Sequence, residues 1–290
     1  MAGISRMIDF DKLRDLIAEK ELNIYSVCEY DHGEIRRADF QQAANCRNCY
    51  SVAKAFVVTA IGMLEDRGLL HTDDPVYPIF QDRFPPDHDP AWKQVTIAHA
   101  LTHTIGIGQG FLDIDCDVMP EYGTDDLLSI VLSRKLPHPP GTVSVYSDGA
   151  FYLLSRIVTE KTGLLLSDFL RTDLLVPMKF REYAFSTCPQ GYPIGATGLY
   201  ITTDDMLKLG ILYLQNGMYG GRQYLTPGFV QKALGRFEFK PCYGGFAKGG
   251  MYGQYLYLNR DRQQVIAFHG INKTKPAHTI IMDFLHSTGV

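Results

Sequence analysis

The sequence predicts an α+β fold in which one antiparallel sheet is assembled from both ends of the chain and a mainly helical lobe is inserted between them. Strand-like runs punctuated by turns lie near the N-terminus, at residues 23–38, and near the C-terminus, at residues 253–269. The stretch between them carries helical periodicity, and no linker, repeat or low-complexity tract divides it. The expectation is a single domain over residues 1–290. Its sheet lobe covers about 1–50 and 235–290, and its helical lobe, with the helix bearing a candidate nucleophile, about 51–234.

Each element has a local reason. From Phe10 to Glu21, Leu13, Leu16 and Ile17 share one face of an amphipathic helix. Asn23–Tyr30 and Glu34–Ala38 flank Asp31-His32-Gly33, a hairpin signal. A helix opening at Ser51 runs to Asp66 and stops at Gly68. Its apolar residues nearly encircle it, which predicts a buried, central helix. Residues 69–90 are rich in Asp and Pro and read as a surface loop. Thr96 caps a short helix to Thr102, and 106–122 is loop. Helices follow at Asp125–Ser133, Ala150–Thr162, 167–175, Thr203–Asn216 and Pro227–Leu234, with an extended Val143–Tyr146 among them. Gly253–Leu258 and Gln263–His269 are strands joined by Asn259-Arg260-Asp261-Arg262, and a helix over Pro276–His286 closes the chain.

Composition narrows the function. The 290 residues are 46% hydrophobic and 21% charged, with net charge −4 and pI near 6.1, ordinary for a globular protein. No large basic cluster exists, which argues against a nucleic-acid partner. No stretch of about 18 apolar residues predicts a membrane span. The opening MAGISRMIDFDKLRDLIAEKE lacks the apolar core of a secretory signal, so a cytoplasmic location is expected unless a leader has been removed. Six cysteines are scattered, and Cys46-Arg47-Asn48-Cys49 has no second pair to complete a metal site. Free thiols are expected, with no metal or cofactor. The sequence leaves oligomeric state open.

Chemistry is concentrated in Ser51-Val52-Ala53-Lys54. Residues three apart share a helix face, so the Lys54 amine can reach the Ser51 hydroxyl. A desolvated, neutral lysine can take that proton and make the serine a nucleophile. Two fixed residues are a weak signal alone. An acyl-transfer site also needs a second proton relay, a cation and backbone amides facing an oxyanion. Tyr146, between an extended stretch and a helix, can supply a phenol. In Ala247-Lys248-Gly249-Gly250-Met251, a lysine at the entry to a strand precedes two positions without side chains, where a substrate backbone can approach.

Together, Ser51-Val52-Ala53-Lys54, Tyr146-Ser147-Asp148 and Lys248-Gly249-Gly250 resemble the three ordered motifs of the penicillin-recognising serine hydrolases. The likeness is greatest to the class C β-lactamase branch with its D-alanyl carboxypeptidase and esterase relatives. Tyr146 follows Ser51 by 95 residues and Lys248 follows Tyr146 by 102, like compact members of that family. Supporting segments extend the match over nearly the whole chain, among them Leu69–Val76, Ile97–Gly106 and Gly198–Met206. The resemblance implies a β-lactamase/transpeptidase-like fold with Ser51 as acylated nucleophile, Lys54 as its base and Tyr146 as the phenol that passes protons. It implies Lys248 across the cleft, lowering the Tyr146 pKa and holding an anionic substrate group. It also implies an oxyanion hole from the amides of Ser51 and Met251.

Two positions depart from the family. Asp148 stands where asparagine is usual, bringing a negative charge able to pair with Lys54 or Lys248 and to disfavour acidic substrates. Gly249 lacks the hydroxyl usual in the third motif. Lys161-Thr162-Gly163 spells that motif literally but ends a helix, and is read as a stop signal. His103 is expected to fix a loop, and His269 to end a strand. The sequence therefore predicts a serine hydrolase that forms an acyl-enzyme at Ser51 on a small-molecule or peptide-like amide, lactam, peptide or ester, with esterase or peptidase-like chemistry favoured over efficient β-lactam hydrolysis. The alternative is a non-hydrolytic penicillin-binding or ligand-sensing protein with the same fold.

Overall fold

The computed structural model describes residues 7–290. Helix α1 (Phe10–Glu19) starts at Asp9, whose carboxylate accepts from the Lys12 amide, and buries Leu13 and Ile17. The hairpin of β1 (Ile24–Asp31) and β2 (Glu34–Asp39) follows. A short β3 (Arg47–Asn48) and a 3₁₀ turn over Tyr50–Val52 lead into α2 (Ala53–Asp66). The helical lobe continues through α3 (Tyr77–Phe80), α4 (Ile97–Leu101), α5 (Leu127–Leu132), α6 (Asp148–Thr162) and α7 (Leu166–Leu170). Then come β4 (Tyr183–Phe185), β5 (Leu199–Ile201), α8 (Thr203–Leu214), the hairpin β6 (Met218–Tyr219) and β7 (Arg222–Gln223), and α9 (Pro227–Ala233). The chain ends with β8 (Lys240–Cys242), β9 (Gly245–Gly250), β10 (Gln254–Asn259), β11 (Gln264–Gly270) and α10 (Ala277–Ser287).

The main sheet has six strands in the order β2-β1-β11-β10-β9-β8, so N-terminal and C-terminal strands meet at β1–β11. Its paired strands run antiparallel. Period-two alternation divides the side chains between two cores. Tyr255, Tyr257, Ile266 and Phe268 face Leu13, Ile17, Ile281 and Leu285 of α1 and α10. Leu256, Leu258, Val265 and Ala267 join the larger core with α2, α6 and α8. Burial on both faces explains why β10 and β11 are apolar throughout. Helix α8 lies so close to the sheet that a Cβ on Gly210 would sit 2.4 Å from the Val265 side chain.

Helix α2 is the central helix that its composition predicts, with every residue from Ala53 to Leu64 buried. Several local expectations are corrected. Residues 69–90 are not plain loop but include α3 and 3₁₀ turns, two of which carry proline in the first turn. Val143–Tyr146 joins no sheet. Helix α6 starts at Asp148, not Ala150, because Ser147 takes extended cap geometry at φ −154° and ψ 130°. The helix expected over 167–175 is α7 followed by a π turn. Strands of two or three residues, such as β3 to β7, are too short to show a sequence period.

Candidate active site

Ser51 lies in the 3₁₀ turn ahead of α2 rather than in the helix itself. Tyr50 before it has φ 47°, a left-handed conformation uncommon for a residue with a side chain, and its amide is held by Asn48 Oδ1 at 2.8 Å. This kink turns the serine out of the packed helix, and its side chain is only half-buried. Lys54, three residues on, is fully buried.

Lys54 Nζ has three oxygen neighbours: Ser51 Oγ at 3.1 Å, Asp148 Oδ1 at 2.7 Å and the Ala196 carbonyl at 2.9 Å. An ammonium donates to all three. A neutral amine donates two N–H to Asp148 and Ala196 and turns its lone pair to the Ser51 hydroxyl. The two forms differ by one proton along the Ser51–Lys54 bond. Of the two partners left open for Asp148, the geometry selects Lys54. The Lys54 Nζ also lies 4.7 Å from the Tyr146 ring centroid and 5.7 Å from that of Phe151.

The Tyr146 hydroxyl donates to Ser51 Oγ at 2.8 Å. Half of the side chain stays in solvent, but enough protein packs round the phenol that burial pushes its pKa up to about 12. Lys248 and the bond to Ser51 pull the other way without prevailing. The phenol's pKa therefore stays above its ordinary value, although Lys248 lowers it in the sense that the resemblance implies. The Tyr146 loop is pinned by His103, whose carbonyl accepts from Val145 N at 2.8 Å and whose Nδ1 accepts from Ser147 N at 3.2 Å. The rings of His103 and Tyr146 lie 4.5 Å apart. Because Nδ1 accepts, the ring proton belongs on Nε2, where it donates to Glu238 Oε1 at 3.0 Å.

Lys248 lies inside β9, not at the entry to a strand, and pairs with Leu256 of β10, which directs it to the helical lobe. Its Nζ lies 5.7 Å from the Tyr146 ring centroid and 2.5 Å from Glu238 Oε2. Glu238 is the functional neighbour that sequence reading missed. The alternation Phe237-Glu238-Phe239, two core rings flanking one charge, was the available signal. Burial opposes its charge, yet Lys248, then His103, hold its carboxyl well below the usual carboxylate range.

Gly249 pairs with Tyr255, and a Cβ there would meet only that ring, at 3.6 Å. Gly250 is different: a Cβ would lie 2.6 Å from the Cys49 carbonyl and 3.3 Å from Ser51 N. The end of β9 thus presses against the turn that carries Ser51, with Met251 next in the chain. Beside Tyr146 and Lys248 lies a hollow of about 430 Å³, also lined by Glu238, Gly249, Tyr255 and His278 among others; Ser51 and Lys54 are not among its lining residues. On the Lys54 side, Asp115 accepts from Thr197 Oγ1 at 2.9 Å, beside the Ala196 carbonyl. Burial and then, against the Thr197 bond, the charge of Asp148 raise its pKa.

The other motif candidates stay outside this cluster. Lys161-Thr162-Gly163 closes α6, with Gly163 at φ 72°. His269 lies within β11, at its penultimate position. Cys46 and Cys49 are free thiols pushed up by burial, the reverse of a reactive pair. Among the described residues no three His, Cys, Asp or Glu side chains converge as a metal site requires.

The sequence model of the Beta-lactamase family matches residues 48–279. PbpX of Bacillus subtilis (strain 168), provisionally named a penicillin-binding protein, is 25% identical over 236 residues, covering 72% of this chain and 57% of that protein. The chain therefore spans little more than half the length of PbpX, and about a third of other curated relatives it matches. A Bacillus anthracis structure, provisionally described as a 6-aminohexanoate-dimer hydrolase, superposes with a TM-score of 0.79 at 17% identity over 95% of this chain and 82% of that one. The octameric penicillin-binding protein homologue from Pyrococcus abyssi gives 0.73 at 17% identity, over 97% and 78%. At such identities these two likenesses are ones of fold.

Proposed function

Since the chain belongs to the Beta-lactamase family, we propose that it is a serine hydrolase working through an acyl-enzyme at Ser51 on an amide, lactam, peptide or ester. One observation carries the reading: Ser51 Oγ is bracketed by Lys54 Nζ at 3.1 Å and the Tyr146 hydroxyl at 2.8 Å. Nucleophile, base and acid are thereby within one proton step of each other.

In this proposal Ser51 Oγ bonds to the substrate carbonyl carbon as Lys54 takes its proton. Asp148 stabilises the ammonium so formed, much as the buried aspartate of a Ser-His-Asp triad stabilises the imidazolium. Tyr146, a phenol that holds its proton, donates it to the departing atom and regains one from Lys54. Water then reverses the sequence and frees Ser51. The amides of Ser51 and Met251 receive the oxyanion, a role supported by the close approach of Gly250 to Ser51 N. The proposal retains a small-molecule or peptide-like substrate and a cytoplasmic location, the latter on six free thiols.

The test is incubation with a chromogenic ester and a fluorescent penicillin, followed by intact mass, for wild type and Ser51→Ala. Turnover and a transient adduct lost in Ser51→Ala support the hydrolase. A stable adduct at Ser51 supports a sensor, and equal behaviour of the two proteins on a broad amide and ester panel overturns the reading.

A further inference from the structure

Both lysines of the cleft are matched one-to-one by buried carboxylates. Lys54 is held by Asp148 at 2.7 Å and Lys248 by Glu238 at 2.5 Å, and all four side chains are less than a tenth exposed. The second carboxylate oxygen of Glu238 is taken by His103 at 3.0 Å, so the group cannot swing away from Lys248 without losing two partners. Asp115 adds a further carboxylate on the Lys54 side. Lys240, which is exposed, is the remaining lysine or arginine among the residues lining the hollow. An exposed ammonium is well screened by water and attracts an anion weakly.

From this we infer that Glu238 is a specificity-determining residue: it takes the charge of Lys248 out of the cleft, so that the site accepts acyl donors whose recognition group is uncharged or cationic and rejects those bearing a carboxylate. The inference rests on the hydrolase reading above and names its substrate class. A substrate carboxylate reaching Lys248 has to displace a partner that is already desolvated, bidentately engaged and part of the fold. It then leaves Glu238 buried beside a second negative charge, an arrangement that suppresses the wrong ligand more strongly than it favours the right one. A neutral acyl chain meets no such opposition in a hollow lined partly by Ala247 and Tyr255.

The experiment compares three p-nitrophenyl esters of similar length, a butyrate, a monosuccinate and a 4-aminobutyrate, on the intact protein. For any that turn over slowly, the rate of adduct formation at Ser51 is read by intact mass. The expected result is kcat/KM about tenfold or more lower for the monosuccinate than for the butyrate, with the gap narrowing as salt rises. Glu238→Gln is expected to narrow that ratio at low salt. Should Glu238→Gln fold poorly, the wild-type ratio and its salt dependence still decide the question. A monosuccinate hydrolysed as well as the butyrate, in a reaction abolished by Ser51→Ala, overturns the inference and leaves the hydrolase reading standing. Hydrolysis that survives Ser51→Ala overturns both.

Discussion

Lys54 Nζ lies 2.7 Å from Asp148 Oδ1, and neither side chain is more than 6% exposed. Asp148 is the first residue of α6 and Lys54 lies in the first turn of α2, so the contact also ties together the two helices that carry the site. Removing one partner of a buried pair strands the other. Asp148→Ala is expected to lower unfolding stability by about 3–5 kcal/mol. Asp148→Asn, which keeps an acceptor for the amine, is expected to cost about 1–3 kcal/mol. Urea midpoints of the three proteins check this, and an unchanged midpoint for Asp148→Ala refutes it.

The Tyr146 hydroxyl donates a hydrogen bond to Ser51 Oγ while its side chain forms no part of the core. Tyr146→Phe is expected to reduce kcat by about 10²–10⁴. The loss of stability should stay within about 1 kcal/mol. Burial holds the phenol up to about 12, so the wild-type rate should not turn down at pH values where a free phenol, near 10, would ionise. A pH–rate profile measured with an ester stable to alkali shows whether a downturn occurs early.

The adjacent glycines are expected to respond in opposite ways. Gly249→Ala puts a methyl at ordinary contact distance from Tyr255 and should shift stability by no more than about 0.5 kcal/mol. Gly250→Ala drives a Cβ to 2.6 Å from the Cys49 carbonyl, with the Gln254 Cβ at 3.0 Å and Ser51 N at 3.3 Å, and should cost about 1–3 kcal/mol and most of the activity. Thermal melts and ester kinetics on the two variants separate them, and equal tolerance would show that β9 does not press on the Ser51 turn.

His269 is buried in β11, and burial, aided by Arg47 and Arg37, lowers its pKa to about 3. The unfolded chain protonates this ring near its ordinary 6.5, so between those values the unfolded state binds more protons. The neutral ring's contribution is therefore fully present above 6.5 and is lost as pH falls toward 3. His269→Phe should flatten that part of the curve of urea midpoint against pH. A slope identical to wild type between pH 7 and pH 5 rules the histidine out as its source.

Much of this was legible in the chain. The apolar encirclement of Val52–Leu64 foretold a buried central helix, and β-formers at both termini foretold one shared antiparallel sheet. The ordered Ser51-x-x-Lys54, Tyr146 and Lys248 motifs foretold a cluster that the fold assembles across 197 residues of separation. Local periodicity and motif order are properties of neighbouring residues, and a sequence displays them directly. Partner choice is not such a property. Only the tertiary structure decided that Asp148 turns to Lys54 and not to Lys248, that Glu238 occupies Lys248, and that His103 fastens the tyrosine loop to that carboxylate. Each of those pairings joins segments far apart in the chain, and its energy depends on burial and on distances of a few ångströms, which exist only once the sheet and the helical lobe have closed on one another.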